Sequence, residues 1–75
     1  MKIHRVILRD KDKLKINSIL GRDLVVTNLR TKEKGVIRFD KKLPSWMKKG
    51  KIITFEPFAD GGGILKYKKM GLTFN

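Results

Sequence analysis

Apolar residues in this chain fall in short runs closed by polar or glycine-containing turns, and no long window carries them at helical spacing. Runs of about five to eight residues with β-branched and aromatic content predict strands. The first covers residues 2–9, with Ile3, Val6, Ile7 and Leu8, and stops at Asp10-Lys11-Asp12-Lys13, which reads as a solvated turn. In the second, 14–20, alternation assigns Leu14, Ile16, Ser18 and Leu20 to one face and Lys15, Asn17 and Ile19 to the other. Gly21-Arg22-Asp23 is a tight turn into the third run, 24–30, and Thr31-Lys32-Glu33-Lys34-Gly35 closes a hairpin onto 36–39.

The pattern breaks over residues 40–50. Leu43-Pro44-Ser45-Trp46-Met47, with proline near its start and Gly50 beyond its end, predicts one short helical turn near 43–48 that caps the core. Residues 51–56 resume a strand, with Ile53 and Phe55 on one face and Ile52 and Thr54 on the other. The stretch Pro57-Phe58-Ala59-Asp60-Gly61-Gly62-Gly63 is the expected mobile loop. Residues 64–70 form the last long run, and beyond Gly71 the segment Leu72-Thr73-Phe74 either returns to the core or frays. The whole predicts one all-β domain over residues 1–75: a five- to six-stranded barrel, OB-like or SH3-like, since closure removes edges that a small sheet cannot otherwise protect.

Composition narrows the class. A chain of 75 residues without cysteine has no room for a second domain and excludes zinc ribbons, iron–sulfur sites, disulfide scaffolds and thiol enzymes. Hydrophobic residues make up 40%, clustered rather than scattered, which argues against disorder despite 35% charged residues. No apolar run approaches the roughly 18 residues of a membrane span, and the N-terminal residues lack a signal-peptide core, so a cytoplasmic protein with no membrane partner is expected.

Catalytic chemistry is poorly supplied. His4 is the only histidine, no hydroxyl is placed beside it by any motif, and the seven acids are scattered, so no enzyme activity and no cofactor are expected. Lysines flanking Asp10 and Asp12 oppose a bound cation, and no metal site is expected. Gly61-Gly62-Gly63 lacks the following helix and the Lys-Ser/Thr pair of a phosphate loop, and reads as hairpin turn chemistry or as a place of close backbone approach.

The basic residues carry the stronger signal. Lys plus Arg number 19 against 7 acids, a formal charge of +12. They concentrate around the first turn (Arg9, Lys11, Lys13, Lys15), around the Pro-Trp segment (Lys41, Lys42, Lys48, Lys49, Lys51) and on the last run (Lys66, Lys68, Lys69). Alternation places Lys66 and Lys68 together on the face opposite Tyr67. Polyphosphates bind such clusters by releasing counterions, and unpaired bases add stacking on exposed rings. Trp46, Phe58 and Tyr67 are the rings closest to lysines; Phe58 is the best placed for exposure, whereas Trp46 is expected first as a lid on the core. The residues expected to contact nucleic acid are Lys13, Lys15, Lys48, Lys49, Lys51, Phe58, Lys66, Lys68 and Lys69.

Residues 50–57, Gly-Lys-Ile-Ile-Thr-Phe-Glu-Pro, and 63–68, Gly-Ile-Leu-Lys-Tyr-Lys, resemble the last hairpin of bacterial translation initiation factor one and its OB-fold relatives. The resemblance spans residues 50–69 and implies an OB barrel that binds structured RNA through a basic face, with Lys66, Tyr67 and Lys68 on the matching strand. Leu43-Pro44-Ser45-Trp46-Met47 departs from the family's central loop, and the chain is also similar to small uncharacterised bacterial β-barrels. The expected partner is RNA or single-stranded DNA, since no recognition helix for a duplex groove is visible. The alternative is an interaction module docking on an acidic protein surface, steered by charge and anchored by Trp46 and Phe58.

Overall fold

Alternating burial along each run sets the fold. The computed structural model describes residues 8–74, which form six strands: β1 (Lys13–Leu20), β2 (Asp23–Asn28), β3 (Lys34–Arg38), β4 (Ile52–Pro57), β5 (Gly63–Tyr67) and β6 (Met70–Phe74). All pairings are antiparallel, in one sheet of order β3-β2-β1-β4-β5-β6. Three hairpin-linked strands followed by a fourth that returns beside the first make a Greek key, with residues 39–51 as the long return. β5 and β6 extend it as further hairpins. Leu14, Ile16, Leu24, Val26, Ile53 and Leu65 are fully buried on the inner face, with Phe39, Met47 and Phe55 nearly so.

β1 departs from the simple alternation. Ile16 pairs with Val26 but Ser18 with Val25, so Asn17 is the extra residue of a β-bulge, its amide donating to Thr27 Oγ1 at 2.6 Å. The bulge reverses the phase of everything after it. Ile19, expected outside, packs against the core, and Leu20, expected inside, is 65% exposed.

The segment expected as a helical turn near 43–48 is a pair of tight turns, and no helix occurs among the described residues. Met47 N–H donates to the Pro44 carbonyl at 3.1 Å, and Lys51 N–H to the Lys48 carbonyl at 3.1 Å. The capping role stands: Met47 is buried, and Leu43 and Trp46 lie against the core. Gly50 N–H then donates to the Ile16 carbonyl, and Ile16 N–H to the Lys51 carbonyl, which fastens the start of β4 to β1.

The run 64–70 is not one strand. Lys68 and Lys69 form a two-residue turn in which Lys68 has φ 55°, and Leu72 and Phe74 return to the core on β6. β3 and β6, at the two ends of the order, are not paired with each other, so hydrogen bonds do not close the sheet. Their ends meet through side chains: the Phe39 and Phe74 rings pack edge to face, centroids 5.7 Å apart. Of the first predicted run, only Leu8 and Arg9 are described; Leu8 packs against the core, and the remainder, with His4, lies outside the described residues.

In the turn before β1, Asp10, Lys11 and Lys13 are exposed as expected, but Asp12 is a buried polar staple rather than solvated. Asp12, 5% exposed, accepts from the Arg9 backbone, from Asn28 Nδ2 at 2.9 Å, and from Arg30 Nε and Nη2 at 2.8 and 3.0 Å. Arg30 and these donors hold the Asp12 carboxyl far below the usual carboxylate range. No helix among the described residues is long and apolar enough to cross a membrane.

Candidate nucleic-acid interface

Register aligns lysines on the outer face of the sheet. One row runs Lys34, Thr27, Lys15, Ile52 across β3, β2, β1 and β4, and the next runs Lys13, Thr54, Lys66, Gly71 across β1, β4, β5 and β6. These positions are exposed or half-buried because their neighbours Leu14, Ile53 and Leu65 take the inner face. Two of the expected contacts are already engaged. Lys66 shares Glu56 with Lys11, at 3.1 and 2.8 Å, an arrangement that holds the Glu56 carboxyl below its ordinary value, Lys11 first and Lys66 second. Lys13 donates to Thr54 Oγ1 at 2.6 Å.

A different concentration forms where β4 begins and β5 ends. The Trp46 indole stacks on the Tyr67 ring, centroids 6.2 Å apart and planes inclined by 11°, both rings half-buried. The ammonium groups of Lys51 and Lys68 each lie 5.3 Å from the Tyr67 centroid. The nearness of Lys51 first, and of Lys68 after it, pulls the phenol below its usual value. Lys48 and Lys49 precede Lys51 in an exposed turn, Lys69 follows Lys68, and Lys15 pairs with Ile52 beside them. Ile52, 49% exposed, and Met70 add apolar surface at the same end. Among the described residues no carboxylate lies within ion-pair distance of Lys15, Lys48, Lys49, Lys51, Lys68 or Lys69.

The structure therefore brings two of the nine expected residues, Lys51 and Lys68, to an aromatic pair; Lys48, Lys49 and Lys69 are their exposed neighbours along the chain, and Lys15 lies on the outer face beside Ile52. It separates Phe58, which is exposed but sits in the β4–β5 loop, about 20 Å along β4 from Lys51 at the rise of an extended strand. It also corrects the placement of Lys68, which belongs to the β5–β6 turn and reaches back to Tyr67 instead of sharing an outer face with Lys66. Ile52 and Met70 were missed. For Ile52 the signal was legible, an apolar residue at an outward strand position between Lys51 and Thr54.

The glycine loop has a structural explanation. Gly61 and Gly62 adopt φ of 105° and 70°, and Gly63 is buried where a Cβ would lie 2.6 Å from Phe55 Cε1. A hollow of about 710 Å³ lies elsewhere, beside the ends of β3 and β6, lined in part by Leu20, Arg22, Arg38, Phe39 and Phe74. There Arg38 pairs with Asp23 at 2.8 Å, and Arg22 donates to the Asp40 carbonyl at 3.1 Å. Comparison with protein-family models, curated proteins and solved structures returned no match.

Proposed function

We infer that this protein binds single-stranded nucleic acid, RNA or DNA, through the end of the sheet that carries Trp46, Tyr67 and the lysines around them. The carrying observation is an aromatic stack approached by Lys51 and Lys68, with Lys48, Lys49 and Lys69 next to them along the chain and, among the described residues, no carboxylate in ion-pair distance of any of the five. Unneutralised cations are what a phosphate chain binds, and a half-buried indole beside them offers a base a surface to stack on. A Greek-key sheet whose end strands meet at Phe39 and Phe74 is consistent with a partly open OB-like barrel as the platform. Binding needs neither cofactor nor metal and is not catalytic.

The principal contacts on this reading are Lys15, Lys48, Lys49, Lys51, Lys68 and Lys69, with Lys13 at the border. Lys66 is weakened as a phosphate ligand because Glu56 already holds it. A second reading, docking on an acidic protein surface in the cytoplasm, is favoured by the exposure of Ile52 and Met70 beside the lysines. Competition separates the two. Trp46 is the only tryptophan, so its fluorescence reports a bound oligonucleotide. Polyglutamate should displace that oligonucleotide only at a large excess of charge. Displacement at equal charge concentration would favour the protein-docking reading.

A further inference from the structure

Tyr67 was a candidate stacking platform, yet its surroundings suit a different task. Trp46 stacks on the ring, and two ammonium groups each lie 5.3 Å from its centroid. Any base laid on Tyr67 would have to displace Trp46 or the lysines. The lysines arrive from different elements. Lys51 is fixed at the start of β4 by backbone bonds to Ile16 and Lys48, and Lys68 comes from the β5–β6 turn. Lys68 holds φ 55°, a region where glycine or asparagine is the favoured occupant, and its side chain returns over Tyr67. Left-handed backbone at a lysine is also found at Lys11, where the side chain is likewise engaged, by Glu56, and at Lys32. Among the described residues no carboxylate lies within ion-pair distance of Lys68 to account for it.

We propose that Lys51, Lys68 and the Tyr67 hydroxyl form a clamp for one backbone phosphate of the bound strand, leaving Trp46 as the ring available to a base. The two ammonium groups and the phenol supply convergent donors, which is the need of a phosphate and not of a base face. The clamp rests on the single-strand reading above and gives Tyr67 a role as a donor. It also accounts for a turn built with lysine where glycine would be less strained: the side chain is required at that point.

The test uses a ten-nucleotide oligothymidylate and an abasic deoxyribose-phosphate strand of the same length, titrated against wild type, Tyr67→Phe, Lys51→Met and Lys68→Gly at several salt concentrations. Tyr67→Phe keeps the stack on Trp46 and removes only the hydroxyl. It is expected to weaken both strands by the same factor, several-fold. Lys51→Met and Lys68→Gly should each flatten the log–log salt slope by about 0.7, the value of one single-strand phosphate contact. Lys68→Gly should do so with an unchanged or raised Tm, which a merely structural lysine would not produce. Inorganic phosphate should compete only far above the oligonucleotide's own phosphate concentration; equal potency would overturn the assignment to a strand. Wild-type slopes in both lysine variants, or a Tyr67→Phe loss confined to the base-bearing strand, would overturn the clamp while leaving nucleic-acid binding intact. Failure of the wild type to bind either strand would remove the reading beneath it as well as the clamp.

Discussion

The Trp46 indole lies nearly parallel to the Tyr67 ring, 6.2 Å from centroid to centroid, and joins the long β3–β4 connection to the end of β5. Because these are the only tryptophan and the only tyrosine, the pair is both a structural joint and an optical probe. Ring pairs of this kind contribute about 0.5–1.5 kcal/mol beyond their burial. Replacing Trp46 with leucine keeps apolar cover over the core but removes the ring. Affinity for oligothymidylate should fall about 10-fold, from loss of one stacked base, whereas affinity for an abasic strand should change little. Fluorescence is lost with the residue, so a labelled strand and anisotropy make the measurement.

Lys51 and Lys68 set the ionisation of Tyr67. The phenolate absorbance should titrate with a midpoint below 10, and Lys51→Met should return it upward, since Lys51 is the largest cause of the shift. A depressed phenol contributes stability that is fully present above its unfolded value and is lost as pH falls through the folded one. The substitution should therefore leave stability near neutral pH almost unchanged.

Asp12 makes the opposite end of the sheet acid-sensitive. Its carboxyl is lowered by Arg30 first and by the Arg9 backbone next, and Arg38 and Lys11 lower Asp23 and Glu56 in the same direction. A carboxylate with a depressed folded value adds stability that is fully present above its unfolded value, near 3.8 for Asp12, and is lost as pH falls toward the folded one. Thermal unfolding should thus shift steeply downward below about pH 4. Asp12→Asn should lower Tm at neutral pH and flatten that acid limb. A variant with the wild-type acid limb would show that Asp12 does not cause it.

Much of this fold was legible because alternation was kept. Leu14, Ile16, Ile53 and Phe55 are buried where their spacing put them, and Lys15, Ile52 and Thr54 face outward. What was not legible follows from particular residues. Asn17 carries no signature that marks a bulge in advance, so the phase of Ile19 and Leu20 was inverted. The β5–β6 turn was read as strand because it holds Lys68-Lys69 in place of the usual glycine or asparagine. Asp12 looked solvated because its partners, Asn28 and Arg30, are 16 and 18 residues away. For the candidate interface, charge density marked the lysine clusters along the chain but not their positions in the fold. Only the tertiary contact of Trp46 with Tyr67 distinguishes those at the aromatic end from those on the open face or already paired with Glu56.

Gly63 offers a test of the packing under β5. A Cβ there would stand 2.6 Å from Phe55 Cε1 and 2.8 Å from the Glu56 carbonyl oxygen, and the second neighbour is backbone that cannot move aside cheaply. Gly63→Ala should destabilise by about 1–3 kcal/mol, the usual cost of overpacking, a large share of the few kcal/mol available to so small a domain. Denaturant midpoints would register it as a shift at unchanged slope.

The salt dependence of oligonucleotide binding tests the central claim most directly. With the lysines of the proposed interface engaging about four to six phosphates, Trp46 fluorescence titrations with a short single strand should give log Kobs falling against log salt with a slope of about −3 to −4. A saturable change in Trp46 emission with that slope is the predicted result. A flat dependence between low and physiological ionic strength, or no change in Trp46 emission at saturating strand, would contradict the account.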